Sequence, residues 1–252
     1  GRDSLVVLPT GGGKSLCYQA PALHLSQLGQ GPTLVISPLI ALMKDQVDSL
    51  RSLGIAAAQL DSSLSPDERR QVFDDLRDGN LHMLYMSPER LIGGGGTLHH
   101  SLREAGVRTV AIDEAHCISH WGHDFRPEYR QLATLKQILP DCAIHAFTAT
   151  ATAQVRDDIA HQLALEDPEL LVGNFDRPNL TYRILPRRDL YAQIHDVLDR
   201  HKNEAGIIYC FRRKDVDEVT ATLNATKSLG RKAIGYHAGM TPLQRKKAQE
   251  AF

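Results

Sequence analysis

Short apolar runs alternate with longer segments of helical period along most of the chain. The runs at 5–8, 33–37, 56–60, 82–86, 109–113 and 143–147 read as strands, and the segments 14–27, 40–53, 66–77, 127–139 and 151–163 read as helices between them. Strands that are apolar throughout, rather than alternating, are buried on both faces. Strands separated by helices of this length run parallel. The pattern therefore predicts an α/β fold with a parallel sheet covered on both sides. After Gly173-Asn174-Phe175-Asp176-Arg177-Pro178 the pattern restarts, with strands expected at 180–185, 206–210 and 233–237 and helices at 189–201 and 215–227. The glycine, asparagine and proline there mark a linker, so the expected organisation is a first domain 1–173, a linker 174–182 and a second domain 183–252.

A second domain of about 70 residues is too short to complete an α/β layer. Residues 243–252 read as a helix just begun after Thr241-Pro242, and Gly1-Arg2-Asp3-Ser4 leads straight into a strand. Both ends read as cut and the second domain as incomplete. The Gly93-Gly94-Gly95-Gly96 run reads as a flexible surface loop, with His99-His100 exposed after it.

Composition changes this picture little. With 252 residues, 42% hydrophobic and 23% charged, the chain has the balance of a globular protein with a sizeable core. No stretch approaches the roughly 18 apolar residues of a membrane span, and no charged-then-apolar leader opens the chain, so neither secretion nor a membrane partner is expected. Cys17, Cys117, Cys142 and Cys210 are too scattered for a disulfide framework or a metal knuckle; they read as reduced, buried thiols of an intracellular protein. The net charge of -1 hides an asymmetry: 14 basic against 21 acidic residues up to Gly173, then 15 against 9. A basic second portion leaves nucleic acid open as a partner without arguing for it.

The candidate chemistry begins at Leu8-Pro9-Thr10-Gly11-Gly12-Gly13-Lys14-Ser15, between an apolar strand and a helix. This is the setting of a phosphate-binding loop, in which glycines let backbone N–H groups converge on phosphate oxygens. Thr10, Gly11, Gly12 and Gly13 form the cradle, Lys14 reaches the β and γ phosphates, and the Ser15 hydroxyl is a Mg²⁺ ligand. The general pattern has a glycine where Leu8 stands. At the end of a later apolar strand, Val110-Ala111-Ile112 delivers Asp113 and Glu114 to the position where open α/β sheets bind ligands. Asp113 suits Mg²⁺, held through water, and Glu114 suits a general base for the attacking water.

Several segments resemble the RecQ family of superfamily-two DNA helicases: 8–19, Ser37-Pro38-Leu39-Ile40-Ala41-Leu42-Met43-Lys44-Asp45-Gln46, Ser87-Pro88-Glu89-Arg90 and Asp113-Glu114-Ala115-His116. The run from Cys117 through Trp121, Phe125 and Arg126 to Tyr129 resembles that family's aromatic-rich loop. Phe147-Thr148-Ala149-Thr150 and Tyr236-His237-Ala238-Gly239-Met240 resemble further helicase motifs. The resemblance covers essentially the whole chain. It implies two RecA-like domains of the P-loop NTPase type meeting at a cleft, the second incomplete. It also implies ATP and Mg²⁺ as cofactors, with single-stranded and forked duplex DNA as partners and 3′→5′ movement.

By the same resemblance His116, Thr148 and Thr150 couple nucleotide state to DNA, while Trp121, Phe125 and Arg126 engage single-stranded DNA. An aromatic face stacks on any base for about 1–3 kcal/mol. The family usually has Asn where Asp176 stands and Ser where Arg212 stands. Its adenine-reading segment, arginine finger, zinc site and winged helix lie outside this chain, so none of the four cysteines is expected to bind zinc. The basic clusters Arg212-Arg213-Lys214 and Arg245-Lys246-Lys247 read first as solvated helix faces, with a DNA channel as the alternative. Two rival readings stand beside the helicase: an RNA helicase with the same motor, and a nucleotide- and DNA-binding module without turnover.

Overall fold

Ser4–Val7 forms β1, an apolar strand whose Leu5 and Val7 point to one face of the sheet and Val6 to the other. The same division runs through β2 (Thr33–Ile36), β4 (Met83–Met86) and β5 (Thr109–Ile112): Leu34, Ile36, Leu84, Met86, Val110 and Ile112 pack on one side, Val35, Met83, Tyr85 and Ala111 on the other. Period-two geometry applied to strands with no polar face thus yields a core on each side. With β3 (Ala57–Leu60), β6 (Ala143–Thr148) and β7 (Glu169–Val172), the strands make one seven-stranded sheet in the order β3-β4-β2-β5-β6-β1-β7. Every pairing is parallel. The computed structural model describes residues 1–61, 64–176, 178–225 and 232–252.

Two helices, α1 (Lys14–Gln27) and α2 (Ile40–Ser52), cover one face through Tyr18, Ala22, Met43, Val47 and Leu50. The other face is covered by α3 (Pro66–Arg77), α4 (Pro88–Gly93), α5 (Gly95–Glu104), the segment 115–139 and α8 (Ala153–Gln162). That segment contains a 3₁₀ turn Ala115–Ile118, α6 (Pro127–Arg130), a second 3₁₀ turn Gln131–Thr134 and α7 (Leu135–Ile138). The single helix expected at 127–139 is therefore broken. Its buried residues Tyr129, Leu132, Leu135 and Ile138 recur every third position, and a period of three tightens the chain into 3₁₀ geometry midway. The glycine run is a tight joint between α4 and α5, not a flexible loop. A Cβ on Gly94 would stand 2.2 Å from the Leu98 side chain, which is fully buried. His99 lies in α5 with its Nε2 2.8 Å from the Leu91 carbonyl, so it is not an exposed loop residue.

The chain divides into two compact units, Gly1–Asn179 and Leu180–Phe252. The second contains α9 (Leu190–Arg200), α10 (Arg213–Ala225) and α11 (Pro242–Glu250). The last two residues of the helix expected at 215–227 lie outside the described residues. The strands expected at 180–185, 206–210 and 233–237 do not form a ladder. A parallel strand depends on hydrogen-bonded neighbours and on cover for its faces, and here Ile184 and Tyr209 are 95% and 90% exposed. Among the described residues of this unit, only Val219, Leu223 and Ala248 are buried. Among the described residues no helix is long and apolar enough to cross a membrane.

Candidate functional site

Strand register brings the candidate residues to one edge of the sheet. Val7 pairs with Thr148 and Ile36 with both Ile112 and Met86, so the loops after β1, β2, β4, β5 and β6 leave the sheet at a common C-terminal edge. The loop after β1 closes on itself, Gly12 N donating to Pro9 O at 2.9 Å, and Gly13 takes a left-handed φ of 85° as the residue before α1. Only glycine holds that conformation cheaply. No side chain caps α1 and no carboxylate lies in its first turn, so the N–H groups at its start are left for an anion. Lys14 meanwhile donates to its own loop, to Leu8 O at 3.3 Å and Pro9 O at 3.5 Å. These contacts are long enough to exchange for phosphate.

Asp113, the residue after β5, is a buried carboxylate. Burial, together with the neighbouring Glu114 charge, pushes its pKa up to about 6 against the pull of its bond from Glu114 N and of Lys14. Tyr129 fixes the backbone here, its hydroxyl donating to Asp113 O at 2.9 Å. Glu114 sits at φ 49°, in the left-handed region that non-glycine residues rarely occupy, a strain of the kind stored at functional sites. A buried carboxylate held against its own ionisation fits a divalent cation, which reverses that cost. One carboxylate and the Ser15 hydroxyl fit Mg²⁺ in particular, because it keeps waters and takes substrate phosphates as its other ligands. Among the described residues no cluster of three or more His, Cys, Asp and Glu is placed to hold a metal ion by protein groups alone.

A second polar cluster joins this edge to the loop at 119–126. His116 Nδ1 lies 2.9 Å from Thr148 Oγ1 and 3.3 Å from Glu114 Oε2. Thr148 Oγ1 donates to Thr150 O, so it accepts from His116 and the Nδ1 nitrogen carries the proton. The His116 ring stacks on His123 with centroids 4.3 Å apart, and His123 Nδ1 is 3.4 Å from Thr150 Oγ1. Burial, with His123, Arg126 and Lys14 nearby, pushes the His116 pKa down to about 4 despite Asp124. The folded state therefore binds this proton less readily than the unfolded one. Stability falls as pH drops from about 6.5 towards 4. Urea denaturation of the full-length protein at pH 7.5 and 5.5 is expected to show His116→Gln losing roughly 1 kcal/mol less than wild type between the two; equal losses would contradict this.

Within the aromatic loop the three candidates part company. Trp121 is 67% exposed. Phe125 is half-buried, its ring 3.7 Å from that of His120 and beneath the Arg130 guanidinium. Arg126 is held by Asp124 Oδ2 at 2.9 and 3.1 Å and donates to Pro38 O at 3.3 Å, which orients it while leaving it partly accessible. Sequence reasoning missed His123 and Asp124 as members of this cluster. It also missed Gln19, Gln46 and Tyr85, which bond around Ser15; side-chain bonds between separate elements leave no spacing to read.

Away from this edge, Arg212 pairs with Asp215, Lys214 with Glu218 and Lys246 with Glu250, as exposed helical neighbours. Asp176 N donates to Asn174 Oδ1, and any pairing of Asp176 with Arg177 lies outside the described residues. Cys117 and Cys142 are buried, but Cys17 is exposed on α1 and Cys210 half-exposed, so burial does not extend to all four thiols. Cys17 falls on the open face of a helix whose buried side is carried by Tyr18 and Ala22.

Comparison with known proteins fits this geometry. The family model of DEAD/DEAH box helicases matches residues 1–159. The ATP-dependent DNA helicase RecQ of Pasteurella multocida is 46% identical over 252 residues, 100% of this chain and 38% of that protein. The ATP-dependent DNA helicase hus2/rqh1 of Schizosaccharomyces pombe is 44% identical over 100% of this chain and 19% of its own length, and RecQ of Bacillus subtilis is 41% identical over 100% and 41%. The chain thus spans two fifths or less of the two first-named relatives. In fold, it matches the DUF1998 helicase MrfA bound to DNA with a TM-score of 0.72 at 22% identity, over 100% of this chain and 38% of that one. The Mycobacterium smegmatis helicase Lhr bound to ssDNA and AMP-PNP gives 0.68 at 21%, over 99% and 36%. The chain belongs to the DEAD/DEAH box helicase family and is similar along its whole length to helicases of the RecQ type.

Proposed function

We propose that the protein is an ATP-dependent DNA helicase motor of the RecQ type, moving 3′→5′ on single-stranded DNA and opening forked duplex in repair and recombination. The observation that carries this reading is the unbroken run of contacts from the exposed Trp121 loop to the nucleotide edge. His123 stacks on His116, His116 bonds Thr148, and Thr148 pairs with the strand that feeds the phosphate loop. The relatives' names favour DNA over RNA as the substrate. The site of action is wherever the DNA lies, the cytoplasm and nucleoid of a bacterium or the nucleus of a eukaryote.

In this reading Thr10, Gly11, Gly12 and Gly13 and the first turn of α1 cradle the phosphates, and Lys14 leaves the Leu8 and Pro9 carbonyls to neutralise them. Ser15 and Asp113 hold Mg²⁺, which supplies charge stabilisation on the transferred phosphoryl group. Glu114, partly accessible and beside Asp113, takes the proton of the attacking water. As Glu114 turns to that water it releases the His116 N–H wholly to Thr148. The shift passes through His123 and Thr150 to the loop that carries Trp121. Trp121 stacks on bases, Arg126 contacts phosphate, and Phe125, pinned by His120 and Arg130, shapes the loop and offers its ring edge to the strand.

The test is Trp121→Ala in the full-length protein. Single-stranded DNA binding is expected to weaken by about 1–3 kcal/mol, and DNA stimulation of ATP hydrolysis to be lost. Stimulation that survives unchanged would contradict the role given to the loop.

A further inference from the structure

The Ser15 hydroxyl lies in an ordered set of side chains, Gln19, Gln46 and Tyr85, to which the sequence reading gave no role. Gln46, on α2, donates from Nε2 to Ser15 Oγ at 3.0 Å. Its own Oε1 accepts from Gln19 Nε2 at 2.7 Å, and the same Gln19 nitrogen is 3.2 Å from the Tyr85 hydroxyl. The buried Tyr18 hydroxyl interacts with both Ser15 and Tyr85. The amide of Gln46 thus has its orientation fixed at both ends: its oxygen faces a donor and its nitrogen faces an acceptor.

A serine hydroxyl has one proton and two lone pairs. One lone pair of Ser15 is engaged by Gln46. With that lone pair taken, the hydroxyl keeps its proton and one further lone pair, and the Gln46 contact restricts the direction in which that lone pair points. We propose that Gln46 is a positioning residue that aims the free Ser15 lone pair for Mg²⁺, with Gln19 and Tyr85 holding Gln46 in register. Outer-shell partners of metal ligands act in this way, and losing one typically costs 10–100-fold in metal affinity. The inference rests on the reading of Ser15 as a Mg²⁺ ligand.

The test uses the full-length protein and isothermal titration with ADP, first without divalent cation and then at increasing Mg²⁺. For Gln46→Met, which keeps the length of the side chain and removes its amide, the Mg²⁺ concentration at half-effect is expected to rise about tenfold. ADP affinity without Mg²⁺ is expected to move less than twofold. Gln19→Met, which leaves the Ser15 bond possible but frees the Gln46 amide, is expected to give a smaller rise in the same direction, and serves if Gln46→Met does not fold. An unchanged Mg²⁺ midpoint in the folded variants would overturn the proposal alone. A parallel loss of affinity with and without Mg²⁺ would also overturn it, assigning Gln46 a merely structural role. If wild type itself shows no effect of Mg²⁺ on ADP binding, the reading of Ser15 falls and the proposal falls with it.

Discussion

Replacing Glu114 with glutamine is expected to lower the turnover of ATP by about 10²–10⁴-fold, the usual worth of a positioned general base, with nucleotide still bound. Glutamine keeps the shape of the side chain and an oxygen that can accept from His116 Nδ1, 3.3 Å away in the wild type, so the surrounding cluster survives. What disappears is the carboxylate that takes a proton. Its loss also removes a charge that helps to push the Asp113 pKa upwards, so Asp113 ionises more easily in the variant. Phosphate release measured beside an ADP titration separates these effects. Turnover near the wild-type rate would remove Glu114 from the chemistry.

The second large effect concerns stability. Asp3 is a 3% exposed carboxylate that ties four parts of the first unit together. Its Oδ1 accepts from Ile144 N at 2.8 Å and from Lys136 Nζ at 3.1 Å, and its Oδ2 accepts from Glu166 N at 2.8 Å. Burial alone would raise its pKa, but these donors outweigh burial and hold it below the ordinary carboxylate value. Asp3→Ala leaves two backbone donors without their acceptor and the Lys136 ammonium without its counter-charge, with only the Cys142 carbonyl still accepting from it, and is expected to cost about 3–5 kcal/mol, as for other broken buried pairs. Because the folded pKa is depressed, the stabilisation is present above pH of about 4 and lost as pH falls below it. Urea denaturation at pH 7 and pH 3 should therefore show the gap between wild type and Asp3→Ala narrowing at the lower pH. A gap independent of pH would show that the charge is not what stabilises.

Much of the first unit was legible because its physics is local. Leu34 to Ile36 and Val110 to Ile112 are apolar on both faces, which is what a central parallel strand requires. Strand β7 was missed for the opposite reason: it is a short strand at the edge of the sheet, paired among the described residues with β1 alone, and its residues Leu170, Leu171 and Val172 remain about half exposed. The 3₁₀ turn in the segment 127–139 was hidden in a spacing of three that passes at a glance for helical period. In the second unit apolar runs alone suggested strands, but a run such as 206–210 becomes a strand only when a neighbour supplies its hydrogen bonds. The phosphate loop and the Asp113-Glu114 pair were readable as contiguous residues. The bonds that organise them, His123 to Thr150 and Gln46 to Ser15, join positions 27 and 31 residues apart, and folding alone brings them together.

The central claim is that this edge of the sheet hydrolyses ATP and that the Trp121 loop makes hydrolysis answer to DNA. Steady-state ATP hydrolysis by the full-length protein, with and without single-stranded DNA and with Lys14→Ala as the blank, tests it directly. Hydrolysis well above the blank and raised by single-stranded DNA is the predicted result. Hydrolysis no greater than that of Lys14→Ala, or unaffected by DNA, would contradict it.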